Sequence, residues 1–189
     1  MASPANEVER WSALRVWLFS LFNKSPESNL AAVDRLALDS EDRFLDLGCG
    51  LGAALEHAAK TGAALAGVDP SPSMVARAAE RVPGAEVRVG SAESIPFEDD
   101  AFTVAISIST YHHWADVATG LGEIRRVLAP GGRLLIVEKK LKRGTGHGLD
   151  VEGGESLARS LETHGYGSVQ VETMKAGRTE YLAVSAVVP

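Results

Sequence analysis

The stretch FLDLGCGLG (44–52) sets Asp46, Gly48, Gly50 and Gly52 close together, straight after an apolar run. Glycines at alternate positions remove the Cβ atoms, so the backbone can take bends closed to other residues and a ligand can lie against the peptide planes. The helix expected next presents free N–H groups, which favour an anionic group on that ligand. Asp46 precedes the first glycine at the end of its run, where a carboxylate repels a phosphate and attracts a cation. Downstream, Asp69 ends a second apolar run, AALAGVD (63–69). One carboxylate there matches a ribose, whose two hydroxyls can both donate to it. GCGLGA also approximates the dinucleotide fingerprint G-x-G-x-x-A. The residues therefore indicate an adenosine-containing ligand and leave a nicotinamide dinucleotide open beside a cationic nucleoside.

Positioning these groups takes short strands alternating with helices. RFLDL (43–47), AALAGVD (63–69), AEVRVG (85–90), AFTVAISIS (101–109) and RLLIVEKK (133–140) read as strands. The spacing predicts helices over 53–60, 71–82, 117–128 and about 151–164, with Ser71 as a cap, Pro72 in the first turn and a tight turn at APGG (129–132). Strands apolar on both faces and separated by helices imply an α/β protein: a doubly wound, mostly parallel sheet with helices on both faces. SVQVETM (168–174) and TEYLAVSAVV (179–188), joined by KAGR, suit an antiparallel hairpin at the sheet edge. Two extra N-terminal helices are expected, an aromatic one over 7–22 (Trp11, Trp17, Phe19, Phe22) and a second over 30–38. The whole reads as a single domain: a helical cover (1–40), a ligand-binding core (43–140) and a C-terminal helix and hairpin (150–189).

Bulk properties narrow the function. With 45% hydrophobic and 23% charged residues the chain is that of a soluble globular protein. Nineteen Lys and Arg against 25 Asp and Glu give a net charge of -6, the wrong sign for a duplex nucleic-acid binder. WSALRVWLFSLF (11–22) is interrupted by Arg15 and falls short of the ~20 residues that span a bilayer, so no membrane partner is expected. Cys49 is the only cysteine. It excludes an internal disulfide, fits a reducing, cytoplasmic setting, and reads as a small packing residue in the bend. The histidines show no metal-ligand spacing, and no metal is expected.

Several blocks in order carry a resemblance: FLDLGCGLG (44–52), GVDPSPSM (67–74), GSAESIPFEDDAF (90–102), VAISISTYHHWAD (104–116) and EIRRVLAPGGRLLIVE (123–138). Together they resemble the class I, seven-stranded S-adenosylmethionine-dependent methyltransferases, in their small-molecule branch. The resemblance implies S-adenosyl-L-methionine as cofactor. Gly48, Cys49, Gly50 and Gly52 would pass under its methionine part and ribose, with Asp46 near its amino group and Asp69 on the ribose hydroxyls. Pro70 and Met74 would border the adenine, Ser91, Ala92 and Glu93 would lie along its edge, and Ser107 would face the methyl group. The family often has Asp where this chain has Ser91 and Thr103. At Ser91 the departure weakens a contact to the adenine amino group; at Thr103 it concerns strand packing.

Methyl transfer from a sulfonium needs alignment and exclusion of water more than a fixed catalytic constellation. Tyr111, His112 and His113 follow the fourth strand, where a base or an orienting donor would stand. The reading the sequence favours for the histidines is plainer: they open the next helix and pack or cap there. SIST (107–110) is not the motif of planar-amine methylation, and one buried-type cysteine cannot run cysteine chemistry. The basic loop Lys139–Arg143 reads as a solvated turn, or as a receiver for an anionic acceptor. The expected activity is methylation of a small molecule by a monomer or homodimer. A non-catalytic cofactor-binding or regulatory protein, and a nicotinamide-dependent oxidoreductase, stand as alternatives.

Overall fold

The computed structural model describes residues 27–143 and 146–189. The aromatic helix expected over 7–22 lies outside the described residues. The chain runs α1 (Glu27–Arg35), β1 (Arg43–Leu47), α2 (Ala53–Ala58), β2 (Ala64–Asp69), α3 (Pro72–Arg81), β3 (Glu86–Val89), β4 (Phe102–Ile108), α4 (Val117–Val127), β5 (Leu128–Lys139), α5 (Val151–Thr163), β6 (Gly167–Ala176) and β7 (Thr179–Val187). The second N-terminal helix is thus present as α1, starting and ending about three residues earlier than the apolar run suggested.

The seven strands form one sheet in the order β3-β2-β1-β4-β5-β7-β6. β1 pairs in parallel with β2 and β4, β2 with β3, and β4 with β5. β7 runs antiparallel to both β5 and β6. Strand order reverses between β1 and β4, the crevice where open parallel sheets hold ligands past their carboxyl ends.

Alternate residues of β1, β4 and β5 serve two cores, as the pleat requires. Leu45, Leu47, Ala105, Leu134 and Ile136 face Leu121 and Ile124 of α4 and Leu157 and Leu161 of α5. Phe44, Val104, Ile106, Leu135 and Val137 face Ala32 and Val33 of α1, Leu55 of α2 and Ala78 of α3. Burial on both faces makes the strands read as continuous apolar runs.

Caps set the helix starts. Ser71 accepts from the Met74 N–H and Pro72 opens α3, as expected. Asp116 caps α4 and Asp150 caps α5. The turn expected at 129–132 takes another form. β5 runs through it, and the pairing with β4 jumps from Phe102–Leu128 to Val104–Arg133. The looped-out backbone is satisfied elsewhere: the Gly131 N–H donates to the Val188 carbonyl, and the Val188 N–H to the Gly132 carbonyl, both at 2.8 Å. No helix among the described residues is long and apolar enough to cross a membrane.

Candidate functional site

At the carboxyl end of β1 the chain bends through Gly48, Gly50 and Gly52, whose φ angles are +71°, +51° and +75°. All three lie in the left-handed region, which glycine enters without steric cost. The Val68 carbonyl accepts from the N–H groups of Gly48 (2.7 Å) and Cys49 (3.0 Å), tying the bend to β2. A Cβ on Gly48 would stand 2.4 Å from the Thr110 methyl, and one on Gly52 3.2 Å from the Ala78 backbone. At Gly50 a Cβ would meet nothing within 4 Å. The outer two glycines thus permit close packing, while the middle one borders open space.

Two carboxylates flank that space. Asp46, 3% exposed, receives no hydrogen bond and no cation from a described residue. Burial, with the nearby Asp69 charge, pushes its carboxyl up to about 7. Asp69, 8% exposed, accepts the Gly50 N–H on Oδ2 and the Ser71 N–H on Oδ1, each at 2.9 Å. Burial raises it too, against those two donors. Each Asp69 oxygen keeps a lone pair for a further donor, such as a hydroxyl. Neither acid forms an ion pair among the described residues. A cationic ligand with paired hydroxyls would supply what both lack. Beside them, burial first, and then the charges of Asp46 and Asp69, drive the Cys49 thiol far above its ordinary range, so it stays protonated and inert.

The remaining sequence-derived residues divide. Met74 and Ala92 are buried, and Pro70 is exposed just after β2. Ser91 pairs with Ser94 in a small backbone bridge. The Glu93 carboxylate accepts from the backbone N–H groups of Ala115 (2.7 Å) and Asp116 (3.3 Å), which fixes the approach to α4. Burial raises Glu93, but its hydrogen bonds, led by the Ser91 hydroxyl, outweigh this and hold it low. Ser107 is fully buried, its hydroxyl 2.7 Å from that of Thr110, which donates to the Leu47 carbonyl. Thr110, unremarked in the sequence, therefore props the glycine bend from beneath.

Tyr111, His112 and His113 form a single 3₁₀ turn after β4. Of the expectation that the histidines open the next helix and pack or cap there, the capping is corrected: Asp116 caps the helix, accepting from Ala118 (3.0 Å) and Thr119 (3.2 Å). His112 Nδ1 instead lies 2.8 Å from Oε2 of Glu138, a carboxylate 1% exposed at the end of β5. The spacing argument against convergent histidines is corrected as well. The loop after β5 brings His147 beside His112 and His113, at ring-centroid distances of 5.0 and 5.6 Å. Glu138 carried the same signal as Asp46, an acid ending an apolar run. His147 carried none. Thr103 lies at the opposite edge, its hydroxyl donating to Asp42 (2.7 Å) and accepting from the Arg43 N–H (3.0 Å). Its role is packing of the sheet, as expected.

Residues 45–136 match the family model described as a methyltransferase domain. An uncharacterised methyltransferase of Synechocystis is 30% identical over 138 residues, covering 68% of this chain and 65% of its own. A demethylmenaquinone methyltransferase of Chlorobaculum parvum is 37% identical over 106 residues, 56% of this chain and 44% of its own. The chain thus spans less than two thirds of the length of each of these curated relatives. A Haemonchus contortus phosphoethanolamine N-methyltransferase, solved with phosphomonomethylethanolamine and S-adenosylhomocysteine, superposes with a TM-score of 0.79 at 21% identity. That match covers 95% of this chain and 58% of the other, and shows the shared fold.

Proposed function

Since residues 45–136 belong to the methyltransferase-domain family, on a Rossmann-like class I fold, we propose that the chain binds S-adenosyl-L-methionine and methylates a small-molecule acceptor. One observation carries the reading: two buried carboxylates, Asp46 and Asp69, stand without a cation beside the open side of a glycine bend. Asp46 would face the cofactor's ammonium, Asp69 its ribose hydroxyls, and the bared peptides at Gly50 its methionine part. Met74 and Ala92 would border the adenine.

The cofactor, when bound, supplies the methyl electrophile. The protein's share is alignment: the bend is held by Val68 and propped by Thr110. A small acceptor is supported by what the Chlorobaculum and Haemonchus proteins are named for. The ends of β4 and β5, next to the bend, are the side from which an acceptor would approach.

Titration calorimetry with S-adenosylhomocysteine tests the assignment. Asp69→Ala should weaken binding by about 1.5–3 kcal/mol, the range for hydrogen bonds to a charged group. Unchanged affinity, or thermal stabilisation by NAD in its place, overturns the reading.

A further inference from the structure

We propose that His112, His113 and His147 form a binding site for a divalent transition-metal cation of the zinc type, with Glu138 fixing His112 behind it. The three side chains come from two loops that follow neighbouring strands, β4 and β5. Their ligand atoms all lie within 4.8 Å of one another. In a tetrahedral zinc site two nitrogens stand roughly 3.4 Å apart, as bond lengths of about 2.0–2.1 Å require. The exposed rings of His113 and His147 therefore need to swing inward by only about an ångström.

The support behind His112 distinguishes this cluster from a chance meeting of surface histidines. A metal-bound imidazole commonly gives its second nitrogen to a carboxylate, which sets the tautomer and aims the ring. Here Nδ1 is held 2.8 Å from Glu138 Oε2, leaving Nε2 for the cation. Glu138 lies in the core wall, and its other oxygen, Oε1, is buried with no partner among the described residues. A His–Glu pair alone would also serve as a general base. Two further imidazoles converging on the same ring point to a cation instead.

The loop that brings His147 is tied at its root. The Leu149 N–H donates to the Lys139 carbonyl (2.9 Å) and the Leu141 N–H to the Leu149 carbonyl (2.8 Å). Gly148 lies so close to Lys139 that a Cβ would stand 2.2 Å from that carbonyl oxygen. This closure holds His147 over His112. Imidazole nitrogen prefers zinc, copper, nickel or cobalt to the hard cations magnesium and calcium. Three protein ligands leave a zinc-like ion one open position, suited to an anionic oxygen or sulfur. That this position meets a methyl acceptor rests on the function proposed above. Cation binding does not.

The test uses the untagged full chain, freed of metal and titrated with Co²⁺ in the absence of any methyl donor. The visible d–d bands of four-coordinate cobalt should rise to saturation at one equivalent and be displaced by Zn²⁺. His147→Ala, on an exposed loop, should weaken binding at least tenfold, and Glu138→Gln, which touches no metal, about 10–100-fold. Absence of the bands, or Co²⁺ binding that His147→Ala leaves unchanged, overturns the proposal. Since Glu138 is buried, His147→Ala decides if the Gln variant fails to fold. A failure here leaves S-adenosylhomocysteine binding untouched, so the two readings fall separately.

Discussion

Two aspartates four residues apart, Asp42 just before β1 and Asp46 near its end, meet opposite fates. Asp42, at the amino edge of the sheet, accepts from Arg133 at 2.9 Å and from the Thr103 hydroxyl at 2.7 Å, and Arg133 reaches on to the Leu36 carbonyl. Burial raises the Asp42 carboxyl, but these donors and the Asp39 N–H outweigh it and hold it below its ordinary value. Asp46, at the carboxyl edge, has no such partner and is pushed up to about 7. Asp69 and Glu138 share that edge, likewise without Lys or Arg. One edge is electrostatically finished within the protein. The other is left open, a difference that on the function proposed above separates groups that hold the sheet from groups kept for a ligand.

Filling the bend is the strongest way to break that contrast. Gly48→Ala combines a left-handed residue, about 1–2 kcal/mol, with overpacking against Thr110, about 1–3 kcal/mol. Thermal unfolding should show a loss of about 3 kcal/mol that adding Thr110→Ala does not recover, because the Thr110 Cβ itself would stand 2.8 Å from the new one and the Thr110 hydroxyl holds Ser107 and the Leu47 carbonyl. Next comes the closed edge. Asp42→Ala should cost about 2 kcal/mol in denaturant melts at pH 7 and leave S-adenosylhomocysteine affinity unchanged. Because Asp42 is held low, its contribution exists above its unfolded value of 3.8 and fades as pH falls through the lower folded value. The gap between variant and wild type should close in strong acid.

Asp46→Asn runs the other way. With the folded value raised from 3.8 to about 7, the wild type loses stability from this group as pH climbs between those points. The variant escapes that loss and should gain stability over wild type as pH rises from 4 to 8, with the difference vanishing near pH 4. Its affinity for S-adenosylhomocysteine should fall, and the rise in affinity between pH 6 and 8 that an ionising Asp46 gives the wild type should disappear. A variant that bound equally well at both pH values, alongside an equally flat wild type, would remove Asp46 from the site.

The fold was readable because its signals are local. Strands buried on both faces appear as apolar runs, and Ser71, Pro72 and the glycines mark the breaks between them. Asp46 and Asp69 stood out for a related reason: an acid ending a buried strand is costly unless something meets it. What escaped notice depends on neighbours distant in sequence. Glu138 reaches His112 only because β5 lies beside β4, and His147 joins them only through the path of its loop. Glu93 sits in a turn within reach of several groups, and the backbone of Ala115 and Asp116 takes its carboxylate. The bulge in β5 likewise depends on Val188, which receives and supplies the hydrogen bonds the turn would have kept to itself.

The reversed order of the last two strands constrains assembly. β7 follows β6 in the chain, yet lies inside it, against β5. Until Thr179–Val187 emerge from the ribosome, the outer edge of β5 is an open row of backbone donors and acceptors carrying Leu135, Ile136 and Val137, a template for pairing with another nascent chain. β6 cannot shield it, since β6 reaches the sheet only through β7. The hairpin must therefore dock as a unit and late, and a ribosome stalled between these two strands would leave a half-closed sheet prone to aggregate.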